Sequence, residues 1–157
     1  MILKSADDKS DQLKLLENLL QHAPANSKAK IESYIRNLKA GLAGERKTSF
    51  YIDDYFKNST GCFVIHDLRI DWRGRVAQID HLLINRLFEV FVLETKHFHA
   101  GVKINESGEF LRWNNFAKKH EGMPSPLSQN ERHIEILKDL FDQFIVLPTR
   151  LGFTLKQ

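Results

Sequence analysis

The spacing of apolar residues predicts two helices in the first third of the chain. Leucines recur every three or four positions between residues 8 and 22, as on the buried side of an amphipathic helix. Pro24 ends this helix, and helical spacing resumes from about Ser27 to Phe56. The apolar stripe of the second helix contains one acid, Glu45. Because burying an unpaired charge is unfavourable, Glu45 is expected to pair with a core lysine, to cap a bend or to serve a site.

The middle of the chain has the composition of β-strands. β-Branched and aromatic residues dominate three runs, which we expect to form strands at Cys62–Ile70, Val76–Ile84 and Phe88–Lys96. The connections between these runs are short, and short connections favour an antiparallel meander.

Alternation along these strands predicts which side chains share a face. One face of the second strand would carry Val76, Gln78, Asp80, Leu82 and Ile84. One face of the third strand would carry Val90, Val92, Glu94 and Lys96. A sheet with acids and aliphatic residues on one side is expected to have a polar site at one end of a packed face.

The last third of the chain adds a hairpin and a helix. Two short runs, Val102–Ile104 and Phe110–Trp113, are predicted to pair as a small hairpin. Ser125 is a suitable N-cap and Pro126 a suitable first residue for a helix that we expect to end near Phe144.

Composition is that of one soluble domain of 157 residues, 42% hydrophobic and 27% charged. A formal charge of +3 and a pI near 9.0 favour anionic partners only weakly. The single cysteine, Cys62, excludes an internal disulfide. No apolar run approaches the roughly 18 residues that cross a membrane, and the start lacks a signal peptide. We therefore expect a cytoplasmic protein without a membrane partner.

Two acids and a lysine stand at strand positions that suggest phosphodiester chemistry. Hard divalent cations such as Mg²⁺ prefer oxygen ligands and promote phosphodiester cleavage. Asp80 and Glu94 would supply oxygens, and Glu45 would assist directly or through water. Lys96 would orient a water or stabilise negative charge. Gln129 is expected to position a water or a phosphate near the start of its helix.

Other polar residues support weaker expectations. The histidines do not follow the spacing of a zinc motif, so surface or hydrogen-bonding roles are expected for them. Basic residues near a metal site would contact phosphates. The candidate nucleic-acid contacts are Arg75, His97, Lys103, Lys118 and Lys119. By itself, the pattern also fits a same-face ion pair of Glu94 and Lys96 in a domain without catalytic activity.

Five short motifs in order resemble one nuclease family. They are Gly44-Glu45-Arg46, Gln78-Ile79-Asp80-His81, Glu94-Thr95-Lys96, Ser125-Pro126-Leu127 and Gln129. Together they resemble the NERD domain, the nuclease-related domain, which is grouped with the PD-(D/E)XK nucleases. The resemblance extends over roughly residues 40 to 147 and implies the same site residues as the face pattern.

The resemblance implies an α/β fold with a restriction-endonuclease-like core in the order α-β-β-β-α-β. We expect residues 27–157 to form this domain and residues 1–26 to add a helical extension. The family core has a further strand after its second helix, but the only late apolar run here, Ile145-Val146-Leu147, is stopped by Pro148. The final strand is therefore expected to be short, missing or supplied by a second copy, which makes a homodimer a candidate assembly.

The expected function is DNA hydrolysis by a nuclease that uses Mg²⁺ or Mn²⁺. The metal ligands would be Asp80 and Glu94 with Glu45, and the other catalytic residues would be Lys96 and Gln129. The alternative is a nucleic-acid-binding or assembly module that keeps the nuclease fold without activity. The sequence does not distinguish DNA from RNA.

Overall fold

The chain forms a mixed α/β fold. The computed structural model describes residues 1–98, 101–114, 117–144, 149–150 and 153–154. The elements begin with β1 (Ile2–Lys4), α1 (Ser10–His22), α2 (Ala25–Phe56), β2 (Cys62–Trp72), β3 (Arg75–Asn85) and β4 (Val90–Leu93). They continue with β5 (Val102–Ile104), β6 (Phe110–Asn114), β7 (Lys119–Gly122), α3 (Pro126–Phe144), β8 (Thr149–Arg150) and β9 (Phe153–Thr154).

The larger sheet has the strand order β1-β2-β3-β4. The antiparallel meander of β2, β3 and β4 confirms the expectation from the short connections. Arg73 and Gly74 form the turn between β2 and β3, with φ values of 51° and 74°. Two-residue hairpins require such left-handed conformations, and glycine adopts them without strain.

An N-terminal arm, residues 1–9, adds a strand that the sequence did not predict. Its strand β1 lies parallel to β2, with Ile2 beside Val64. The Met1 ammonium donates hydrogen bonds to the carbonyl oxygens of Phe56, Ser59 and Cys62 at 3.2, 2.8 and 2.7 Å. These bonds attach the arm to the segment between α2 and β2. A three-residue strand carries too little periodicity to be recognised from its residues alone.

One buried cluster joins the sheet to α3. Its members are Ile70, Ala77, Ile79, Leu82, Ile136 and Leu137. Ile79 and Leu82 are three residues apart, so the strict alternation predicted along β3 is wrong. Val76, expected on the packed face, is 45% exposed, whereas Ala77 is fully buried.

The alternation is interrupted at Asp80 and His81. His66 pairs with His81, and Leu68 pairs with Ile79. Asp67 and Asp80 lie opposite each other between these two pairs. Asp67 has a φ of 48°, in the left-handed region that a strand residue rarely adopts. Such local departures from strand geometry re-aim side chains, and here they lie beside two carboxylates.

Helix α3 begins beside the end of β4. The Ser125 hydroxyl accepts a hydrogen bond from the Ser128 N–H at 3.2 Å, which confirms the predicted N-cap. One turn on, the Asn130 side chain donates to the carbonyl oxygen of Val92 at 3.1 Å. The first turns of α3 are therefore held next to the residues that follow β4.

A separate three-stranded sheet follows the first. Its β5 and β6 are the predicted hairpin, and β7 was not predicted. Strands β8 and β9 pair with each other near the end of the chain. The run expected as a final strand, residues 145–147, lies outside the described residues, so the complete α-β-β-β-α-β order stays a prediction. None of the described helices is both long enough and apolar enough to cross a membrane.

Candidate active site

Three of the predicted site residues contact one another directly. Strand β4 ends at Leu93, earlier than predicted, and Glu94 to Lys96 continue beyond it. Glu94 Oε1 accepts hydrogen bonds from Lys96 Nζ at 2.7 Å and from Gln129 Nε2 at 2.6 Å. Lys96 Nζ also donates to Gln129 Oε1 at 3.0 Å. These three residues form a closed triangle, called here the Lys96 cluster.

Asp80 adjoins the Lys96 cluster through the backbone. Its Oδ2 accepts a hydrogen bond from the Thr95 N–H at 2.7 Å. Burial raises the pKa of Asp80 to about 6; the Thr95 bond opposes this shift, and the negative charges of Glu94 and Glu45 add to it. All three predicted carboxylates therefore influence one another electrostatically at Asp80.

One oxygen of Glu94 remains without a hydrogen-bond donor. The Glu94 side chain is only 8% exposed, and its Oε2 is buried without a hydrogen-bond partner among the described residues. His133 Nδ1 lies 3.7 Å from this oxygen, too far for a hydrogen bond. Burial lowers the pKa of His133, although the charge of Glu94 opposes that shift. A buried carboxylate oxygen that accepts no hydrogen bond is available to bind a cation.

No ready-made cage of ligands surrounds that oxygen. Among the residues described, no group of three His, Cys, Asp or Glu side chains is arranged to hold a metal ion. Mg²⁺ does not need such a cage, because it is commonly bound by one or two carboxylates, substrate phosphates and water. Asp80 and Glu94 fit that smaller ligand set.

A hydrogen-bonded chain through two buried histidines ends at Thr95, whose N–H binds Asp80. Asp53 Oδ1 lies 2.9 Å from His66 Nε2, the Nδ1 atoms of His66 and His81 are 2.7 Å apart, and His81 Nε2 lies 3.0 Å from the Thr95 hydroxyl. Burial, followed by the neighbouring His66, lowers the pKa of His81 to about 4. Every contact in this chain is satisfied if Thr95 donates to His81, His81 donates to His66, and His66 donates to Asp53.

The third predicted acid, Glu45, has an unpredicted partner. Its Oε2 lies 2.7 Å from Lys9 Nζ, which also lies 2.8 Å from Asp67 Oδ1. We call these three residues the Lys9 cluster. Pairing with a lysine is one of the roles expected for Glu45, but that lysine comes from the N-terminal arm.

The approach of α2 to the segment after β4 depends on Gly44. A Cβ atom at Gly44 would lie 3.1 Å from the Cβ of His97, closer than ordinary contact. The small residue therefore lets the helix turn that carries Glu45 lie against the residues after Lys96. His97, a predicted phosphate contact, is at this junction.

The other predicted nucleic-acid contacts lie elsewhere. Arg75 pairs with Asp139 of α3 and is five residues from Asp80, about 16 Å along an extended strand. Lys103, Lys118 and Lys119 are exposed and belong to the β5–β7 sheet or to the turn before β7. None of the hydrogen bonds that form the Lys96 cluster involves these side chains, and their contact with nucleic acid stays a prediction.

Two residues of the site were missed by sequence reasoning. Asp67 carries the same signal as Asp80, because it also interrupts an apolar strand. Lys9 carries none, since nothing in its local sequence indicates a partner 36 or 58 residues away. His133 lies four residues after Gln129 on the same face of α3; Gln129 Nε2 donates to Glu94 Oε1, and His133 Nδ1 lies 3.7 Å from Glu94 Oε2.

One family model matches most of the chain. Residues 40–150 match the model of NERD, the nuclease-related domain. The match contains Glu45, Asp80, Glu94, Lys96 and Gln129 and leaves out the N-terminal arm. No curated protein and no solved structure matches the chain. Because the matched region is well over half of the sequence, the chain belongs to the nuclease-related domain family.

Proposed function

We propose that this protein is a nuclease that hydrolyses DNA with the help of Mg²⁺ or Mn²⁺. The observation that carries the proposal is the state of Glu94. One of its oxygens is fixed by Lys96 and Gln129, and the other is buried without a hydrogen-bond partner among the described residues. The charge of Glu94 also contributes to the raised pKa of Asp80. Membership of the nuclease-related family supports the same chemistry.

Asp80 and Glu94 are the proposed metal ligands, and Glu45 contributes negative charge from α2. Their carboxylate oxygens are the donors that a hard divalent cation prefers. When bound, the cation would neutralise charge on the phosphate and make a bound water more acidic. Burial raises the pKa of Asp80 and repulsion from Glu94 and Glu45 adds to the shift, so a bound cation would favour the ionised carboxylate.

Lys96 and Gln129 have complementary roles in this proposal. The Lys96 ammonium is held within the triangle and 32% exposed, so it can face a substrate phosphate while staying near Glu94. There it would orient the attacking water or stabilise developing negative charge. Gln129 keeps both side chains in place, because its amide donates to Glu94 and accepts from Lys96.

The test is a cleavage assay with purified protein, using supercoiled and linear DNA in Mg²⁺, Mn²⁺ or EDTA. We expect cleavage with either metal and none in EDTA. Asp80→Asn and Glu94→Gln should abolish it, whereas the exposed acids Asp71→Asn and Glu131→Gln should not. Cleavage that persists in EDTA, or in both site variants, would contradict the proposal. The same assay on RNA determines which nucleic acid is preferred.

The lack of a formed three-ligand group in the described residues favours a second candidate. In that case the protein binds nucleic acid, or organises an assembly, without cutting. Such a protein would retain DNA in EDTA, and its Glu94→Gln variant would bind DNA as the wild type does. Fluorescence anisotropy of a labelled duplex, measured with and without Mn²⁺, separates this candidate from the nuclease.

A further inference from the structure

The Lys9 ammonium lies between two carboxylates of the site. Its Nζ is 2.7 Å from Glu45 Oε2 and 2.8 Å from Asp67 Oδ1. The three side chains are 20%, 28% and 10% exposed, so water screens them only in part. Burial alone would lower the pKa of Lys9, but the bonds to Asp67 and Glu45 outweigh it and raise the pKa.

The N-terminal arm fixes this lysine in position. The Asp7 N–H donates to Asp67 Oδ2 at 2.9 Å, so Asp67 binds the arm at two points. Lys4 Nζ donates to the carbonyl oxygen of His66 at 3.0 Å, one residue before Asp67. The left-handed backbone of Asp67 is a further sign that local structure is arranged around its carboxylate.

Little space remains beside the Lys9 ammonium. The cleft there is bounded mainly by Ala6, Lys9, Glu45, Asp67 and His81, and its cavity volume is about 10 Å³. That volume is near the lower limit for holding one water molecule. A divalent ion that keeps several of its waters would not fit while the ammonium is present.

We propose that Lys9 is a fixed cation that takes the place of a second divalent ion, so that the protein binds one metal ion. The inference rests on the proposed function, because it assumes that the one ion binds at Asp80 and Glu94. Two-metal phosphodiesterases place a second ion about 3.5–4 Å from the first. Here Glu45 and Asp67 already share the positive charge of Lys9, and that charge would repel such an ion. Lys9 is thus a positioning residue that holds Glu45 and sets the number of metal ions.

Removing the charge of Lys9 should open this second position. Lys9→Met leaves Glu45 and Asp67 facing each other near Asp80 without a counter-ion and vacates the space of the ammonium. Arg46 also bounds the cleft, but its side chain is 65% exposed and lies 3.9 Å from Asp8, so it does not substitute for Lys9.

The experiment counts bound Mn²⁺ ions by the loss of the free-ion signal in electron paramagnetic resonance. We expect one ion per chain in the wild type and two in Lys9→Met. Lys9→Arg, which keeps the charge, and Lys14→Met, which removes an exposed lysine of α1, should each bind one. Lys9→Met combined with Asp67→Asn should return to one ion, because the new position loses a ligand.

Equal counts in the wild type and in Lys9→Met would overturn the proposal, as would two ions in the wild type. The second result needs no variant, so the proposal stays testable even if Lys9→Met fails to fold. Glu94→Gln separates this inference from the proposed function. If the wild type binds no ion and Lys9→Met binds one that survives Glu94→Gln, Lys9 still excludes an ion from Glu45 and Asp67, but the proposed metal site at Asp80 and Glu94 is wrong.

Discussion

Two lysine–carboxylate clusters flank Asp80, and they differ in what they leave available. In the Lys96 cluster one carboxylate accepts two hydrogen bonds and keeps a buried oxygen for which the described part of the chain offers no hydrogen-bond partner. In the Lys9 cluster one ammonium is shared by two carboxylates. The Lys96 cluster retains a carboxylate oxygen that could bind a cation. The Lys9 cluster already contains a cation, the Lys9 ammonium. Under our two proposals, similar residues at similar distances form a metal site in one cluster and occupy the place of a metal ion in the other.

The first prediction tests whether the Lys96 cluster is the reactive one. Glu94→Gln keeps the shape of the side chain but removes its charge, so it should lower the cleavage rate by at least about 100- to 1000-fold, the usual effect of losing one preorganised electrostatic group. Steady-state cleavage of plasmid DNA with saturating Mn²⁺ measures the effect. The matched change in the other cluster, Glu45→Gln, should cost less because Lys9 already neutralises Glu45. A larger loss of cleavage rate in Glu45→Gln than in Glu94→Gln would mean that the Lys9 cluster is the reactive one.

The second prediction compares the two lysines at one metal concentration. Lys96→Met should slow cleavage about 100-fold, because the charge that faces the phosphate is lost. Lys9→Met should slow it much less at saturating metal, since Lys9 acts through Glu45 and Asp67 rather than on the substrate. Lys57→Met, at an exposed ion pair with Asp54, serves as the control. Equal losses for Lys9 and Lys96 would mean that both ammonium groups act directly on the reaction.

The two clusters also differ in how far the sequence could predict them. Glu94, Lys96 and Gln129 were found because two of them lie two residues apart at a strand end and the third opens a helix with a clear N-cap. The partner of Glu45 was not found, because the contact with Lys9 depends on an arm whose path is set by β1 and the Met1 ammonium. Local sequence patterns do not encode a contact between residues 36 positions apart.

The third strand and the core show the same limit. Phe88–Lys96 was predicted as one strand, yet β4 covers only Val90–Leu93, because β-forming residues continue past the point where pairing with β3 stops. Strict alternation failed at Asp80, where Asp67 on the neighbouring strand leaves the strand conformation. Composition indicates that strands are present, but the backbone distortion that places the site requires knowledge of the partner strand.

A third prediction concerns Thr95, which connects Asp80 with the buried histidines. Thr95→Val removes the hydroxyl that lies 3.0 Å from His81 Nε2 and leaves that ring nitrogen buried without a donor. The free energy of unfolding should fall by about 1–3 kcal/mol, the usual cost of an unsatisfied buried polar group. Chemical denaturation in EDTA measures it, with the exposed Thr60→Val as a control. Because the Thr95 N–H to Asp80 is retained, Mn²⁺ affinity should change far less than in Glu94→Gln.

The fourth prediction uses Asp80 to test whether both clusters act on the residue between them. The pKa of Asp80 is about 6 in the folded protein, against about 4 in an unfolded chain, so ionising it destabilises the fold. The folded state binds more protons between these values, so wild-type stability falls as pH rises from about 4 to about 6, and the deficit is complete above that.

Asparagine does not titrate and can still accept the Thr95 N–H, so Asp80→Asn should stabilise the metal-free protein at pH 7.5. A two-unit shift corresponds to about 3 kcal/mol, which solvent screening reduces to about 1–2 kcal/mol. Denaturation of both proteins in EDTA at pH 4.5 and 7.5 measures the difference, which should be small at the lower pH. Glu94→Gln and Glu45→Gln should each shrink the stabilisation at pH 7.5, because each removes one charge that repels Asp80. If only Glu94→Gln reduces the stabilisation, the charge of Glu45 does not affect the ionisation of Asp80. The Lys9 cluster and the Lys96 cluster would then act independently.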